Sequence, residues 1–160
     1  YEVRNRYFKG CVAPKDITHI RQHGEPRNVC YLFEGFMDYL SFLTIRVENN
    51  PQYPRLDTQD YVILNSVSNL AKAENILETY TRIGSFLDND TAGRNACETL
   101  KTKFGERLLD KSLYYHEYKD LNDYLCGKPL SQSAKPINQE KQVQSARRII
   151  QPPKKKGLKM

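Results

Sequence analysis

A chain of 160 residues has room for one folded domain with a core and for appendages, and excludes two ordinary domains. Its formal net charge of +6 divides unevenly, because residues 131–160 carry eight Lys or Arg against Glu140 while the other 130 residues hold 17 basic and 18 acidic side chains; a near-neutral body with a basic arm is the expected form of a domain whose tail supplies non-specific affinity for polyanions. No two of the four cysteines stand at C-x-x-C spacing, which argues against a cysteine zinc site, and no leader pattern or long apolar run marks a secreted or membrane-spanning chain, so the expected setting is a reducing cytoplasm.

Residues 1–28 read as a flanking arm, with a strand in Tyr1 to Lys9 and an irregular stretch from Gly10 to Gly24. Val29-Cys30-Tyr31-Leu32-Phe33 is a short apolar run stopped by Glu34-Gly35, the pattern of a buried strand. Phe36, Tyr39, Leu40, Leu43 and Val47 then recur at helical spacing up to Asn49-Asn50-Pro51, which predicts an amphipathic helix with that face inward. Tyr61 to Leu64 is a second strand, followed by a helix with Leu70, Ala73, Leu77 and Tyr80 inward, and Ser66, Ser68 and Asn69 are placed to cap it. Ile83 to Leu87 is a third strand, Asp88-Asn89-Asp90 follows it, and a helix carrying Ala92, Ala96, Leu100 and Phe104 ends at Gly105. Leu113 to Tyr115 is read as a fourth strand before a short helix near Leu121 to Leu125.

Strand and helix in alternation predict an α/β domain over residues 29–128, with a central parallel four-stranded sheet flanked by helices. The residues that end such strands collect along one edge, where open α/β sheets bind ligands. Residues 129–160 are rich in Ser, Gln, Lys and Pro and poor in bulky apolar side chains, the composition of a disordered tail. Three acidic groups follow strands or open helices: Glu34 with Asp38, Asp88 with Asp90, and Asp120 with Asp123. Carboxylates converging from separate segments suit a hard divalent cation such as Mg²⁺. The same positions also suit helix capping, which the sequence leaves open as the alternative.

Three motifs in order resemble the Toprim domain of bacterial DNA primases: Leu32-Phe33-Glu34-Gly35-Phe36-Met37-Asp38, Asp88-Asn89-Asp90-Thr91-Ala92-Gly93-Arg94, and Lys119-Asp120-Leu121-Asn122-Asp123. The third departs from the family pattern, with Leu121 for the usual Pro and Asn122 where primases commonly place an Asp. In style the chain is similar to the primase-like proteins of mobile elements. The resemblance implies a Toprim fold in which Glu34, Asp88 and Asp90 are catalytic and bind Mg²⁺ or Mn²⁺, with Asp38 and Asp120 extending the metal site. It implies contacts to nucleotide or nucleic acid from Lys119, Arg94, Lys15, Lys9 and Arg4. The activity it implies is primer synthesis from ribonucleoside triphosphates on a single-stranded DNA template, alongside an upstream zinc-binding domain and a replicative helicase and with no membrane. The chain, which opens on Tyr1, then reads as a piece of a longer primase. A Toprim nuclease and a non-catalytic nucleic-acid-binding module are the two rival expectations.

Overall fold

The computed structural model describes residues 2–4, 7, 9–11 and 16–130; for 2–4 and 9–11 it describes the backbone alone. The basic tail, residues 131–160, lies outside the described residues, and so does the disorder expected of it.

Two short strands, β1 (Glu2–Arg4) and β2 (Lys9–Cys11), pair antiparallel as a separate two-stranded sheet. The main sheet has five strands: β3 (Thr18–Ile20), β4 (Val29–Phe33), β5 (Asp60–Ile63), β6 (Arg82–Phe86) and β7 (Leu108–Asp110), in the spatial order β3-β5-β4-β6-β7. Four of them are mutually parallel. The sheet thus corrects the four-strand count by one edge strand, since β3 adds to β5 antiparallel, with His19 opposite Val62. Thr18–Ile20 belongs to the stretch read as irregular. Three residues are too few to display a period, and long-range pairing makes them a strand.

The fourth strand also moves. Leu108–Asp110 pairs with β6, and Ser112 to Tyr115 forms a 3-10 turn instead. Leu113 is 65% exposed while Tyr115 is buried; an apolar run without a neighbouring backbone to pair with does not become a strand.

Four helices connect and cover the sheet: α1 (Phe36–Asn49), α2 (Leu70–Leu77), α3 (Thr91–Phe104) and α4 (Leu121–Leu125). Alternation along the strands sorts the apolar side chains into two cores. Cys30, Leu32, Val62, Leu64, Ile83 and Leu87 face α2 and α3, meeting Ala73, Leu77, Ala96 and Leu100. Phe33, Tyr61, Ile63 and Phe86 face α1 and α4, meeting Phe42, Ile45 and Leu121. The face of α1 is corrected as well: its fully buried residues are Asp38, Ser41, Phe42, Ile45 and Arg46, while Phe36, Leu40 and Val47 are exposed. Two charged side chains can lie inward because each finds a partner. Arg46 donates to the carbonyls of Pro54 and Arg55, and Asp38 accepts from the amide of Asn122; buried charge is tolerated only on such terms.

A buried polar chain fixes the edge strand. His19 Nε2 lies 2.9 Å from the Tyr80 hydroxyl, which donates to Asp60 Oδ2 at 2.7 Å, while the amide of Gln22 donates to Asp60 Oδ1 at 2.8 Å. Tyr80→Phe keeps the ring and strips the donor from a buried carboxylate, so it should cost about 1–3 kcal/mol in urea unfolding. A variant as stable as the parent would show that β3 is held by its ladder alone.

Candidate metal centre at the switch point

The chain leaves β4 through α1 to reach β5 on one side, and leaves β6 through α3 to reach β7 on the other. These connections run over opposite faces, as the two cores show. The crevice of the sheet therefore opens between the C-terminal ends of β4 and β6, the place where open α/β sheets bind ligands. Glu34 follows the first of these strands and Asp88 the second. An open cavity of about 600 Å³ lies there, lined by Glu34, Asp38, Asp88, Asp90, Lys119 and Asp120 among others.

Each carboxylate is placed by backbone. The amide of Asp88 donates to Glu34 Oε2 at 3.2 Å, joining the two strand ends. Asp90 caps α3, accepting from the Gly93 amide on Oδ1 at 3.0 Å, and Asp120 caps α4, accepting from the Asp123 amide on Oδ1 at 2.7 Å. Capping uses one oxygen of each, and Oδ2 of each lies within 3.9 Å of the Lys119 ammonium. The closest grouping is Asp38, Asp88 and Asp120, each offering an oxygen within 4.8 Å of the others. Glu34 and Asp90 share the cavity with this trio and stand outside it. The set of hard oxygen donors from separate elements fits a divalent cation of the Mg²⁺ kind.

Lys119 partly balances the cluster, with Nζ 2.8 Å from Asp88 Oδ2. Its loop is held by Asn89, whose amide donates to the Lys119 carbonyl at 2.6 Å and whose side-chain amide donates to the carbonyls of Tyr115 and Tyr118 at 3.0 Å each. This clamp was not singled out in the sequence, although an Asn between two Asp at a helix start was the available signal. Asn122 donates its amide to Asp38 and accepts from the Ser41 hydroxyl on its side-chain oxygen; it braces the site where a carboxylate would add charge. Gly93 answers to a close approach, since a Cβ there would stand 2.2 Å from the Asp88 carbonyl oxygen.

Of the other residues expected to touch substrate, only the side chain of Arg94 lies among the described residues. Arg94 donates to the Asn89 carbonyl and does not line the cavity. Lys15 lies outside the described residues, and the side chains of Arg4 and Lys9, on β1 and β2, lie outside them too.

Burial, and crowding after it, raise Glu34, Asp38 and Asp88. Burial first, then the charge of Asp88, pushes Glu34 up to about 7. Burial, then Asp120 and Asp88, pushes Asp38 up to about 7. Asp88 is raised by burial against the pull of Lys119, and Lys119 is raised by its hydrogen bond to Asp88.

The sequence profile of the Toprim-like family matches residues 31–125, and the chain belongs to that family. Toprim domains bind divalent metal ions through acidic residues and occur in primases, nucleases and topoisomerases. No curated protein and no solved structure matches the chain. Among the described residues no helix is long and apolar enough to cross a membrane.

Without metal, Glu34 and Asp38 keep their protons to higher pH when folded than when unfolded. The stability they contribute is complete below their ordinary values of 4.5 and 3.8 and is lost as the pH rises through about 7. Melting temperature in a chelator should therefore fall across that window. Glu34→Gln combined with Asp38→Asn should flatten the profile, and an unchanged slope would place the titrating groups elsewhere.

Proposed function

We propose that this domain is the catalytic centre of a primase-like nucleotidyltransferase, joining ribonucleoside triphosphates on a single-stranded DNA template. The observation that carries the reading is the convergence of Glu34, Asp38, Asp88 and Asp120 with Lys119 in one open cavity at the switch point. Asp38, Asp88 and Asp120 are the residues to hold a first divalent ion, with Glu34 and the free oxygen of Asp90 beside them. Bound there, Mg²⁺ or Mn²⁺ would neutralise charge on the reacting phosphate and favour the deprotonated attacking oxygen. Glu34, held near neutrality by its surroundings, has the range of a group that takes or returns a proton at the reacting oxygen. With a cation held at Asp88, Lys119 would be placed to offer its ammonium to a phosphate. The chain's part is otherwise positioning and fixed electrostatics, as phosphoryl transfer requires. In a whole primase the template would be presented by flanking parts, including a zinc-binding domain, with a helicase as the partner that exposes single strands.

The test is incorporation of labelled ribonucleotides on single-stranded DNA with Mg²⁺ or Mn²⁺, by the parent, Glu34→Gln and Asp88→Asn, together with melting curves. The parent should incorporate label and melt higher with saturating metal; a ligand at a hundred times its Kd adds about 2.7 kcal/mol. Both variants should lose at least about two orders of magnitude in rate, equivalent to roughly 2.7 kcal/mol, and keep their fold. Metal-dependent cleavage of single strands without nucleotides would instead make the domain a nuclease. A melting temperature indifferent to metal would leave a non-catalytic module.

A further inference from the structure

A second cavity, of about 340 Å³, runs along the sheet from Val29 and Arg82, which pair as the first residues of β4 and β6, to Lys111, which follows β7. Its floor is Gly84. A Cβ there would stand 2.8 Å from the Tyr31 ring and 3.7 Å from Lys111 Cε, so the missing side chain is what lets the ring and the lysine stem lie against bare backbone. Val29, Tyr31 and Leu109 make the apolar wall, and Leu109 is 47% exposed.

The polar side of this cavity is cationic. Arg82 and Lys111 both line it, and among the described residues neither has a carboxylate within ion-pair distance. The contact recorded for the Lys111 ammonium is the face of Tyr114, 5.2 Å from the ring centre. Burial pushes Lys111 below its ordinary range with no acidic group to offset it, and Arg82 also acts on the Tyr31 phenol. Asp110, next to Lys111 in the chain, is turned away, accepting from the Ser112 amide and hydroxyl and facing Lys101. Arg82 is exposed and its charge costs little to keep, whereas the half-buried Lys111 ammonium is partly desolvated without a carboxylate, a cost that an anion offsets.

We propose that this cavity binds a small organic anion with a flat apolar body, of the nucleoside monophosphate class, with its charge between Arg82 and Lys111 and its ring against Tyr31. Two cations without carboxylates call for one or two negative charges, the aromatic and aliphatic wall calls for a ring, and the volume is at the small end of ligand sites. The site shares no residue with the acidic cavity and does not depend on the function proposed for it.

Equilibrium dialysis of labelled adenosine 5′-monophosphate in a chelator tests this, because the chelator silences metal-dependent binding at the acidic edge. The parent should bind saturably, and unlabelled adenosine or inorganic phosphate should each compete at least about tenfold more weakly, a gap of about 1.4 kcal/mol. Lys111→Met and Arg82→Ala should each weaken binding by a similar factor without lowering the melting temperature, and Lys111→Arg should restore it. Absence of saturable binding at millimolar nucleotide, competition by inorganic phosphate as strong as by the nucleotide, or variants that bind like the parent would each overturn the proposal.

Discussion

The structure depends on keeping like charges together in a half-buried crevice. Glu34, Asp38, Asp88 and Asp120 repel one another, and burial adds to the cost of ionising Glu34, Asp38 and Asp88. What holds them is backbone: the Asp88 amide on Glu34, the Gly93 amide on Asp90, the Asp123 amide on Asp120 and the Asn122 amide on Asp38. Four N–H dipoles and one ammonium stand in for a counter-ion. The two cores beneath exist to fix the strand and helix ends from which those amides point, so packing and electrostatics are solved by the same residues.

That arrangement divides the domain electrically. Carboxylates gather at the C-terminal ends of β4 and β6, while Arg82, which opens β6, and Lys111, which follows β7, line a separate cavity without acidic partners among the described residues. A near-neutral body can thus carry two strong local fields of opposite sign, which its overall composition conceals.

Much of this was legible in the sequence because the site residues sit at boundaries. A carboxylate that ends an apolar run lands at the edge of a parallel sheet whatever the details, and Glu34 and Asp88 did so. The interior of α1 was less legible. Of its apolar face by periodicity, Tyr39 and Leu43 pack against the core while Phe36, Leu40 and Val47 are on the outside, and Asp38 and Arg46 are inside because distant groups, the Asn122 amide and the Pro54 and Arg55 carbonyls, satisfy them. Periodicity reads the side chain and has no access to such partners. The strands β3 and β7 are three residues each, shorter than any period can mark; their neighbours in the sheet select them. Asp90 and Asp120 do cap helices, as the sequence allowed, and each cap occupies one of the two carboxylate oxygens.

The fit of Gly93 against the Asp88 carbonyl has a dynamic consequence. With no side chain between them, the start of α3 and the end of β6 are in backbone contact, and Asp90 is tied to the same turn by its cap. The aspartate pair cannot shift without carrying a 14-residue helix and its half of a core with it. Adjustment to a ligand in the cleft would therefore fall on side chains, above all on Lys119, whose half-exposed stem can change rotamer in picoseconds to nanoseconds. One wall of the cleft is anvil and the other is hinge.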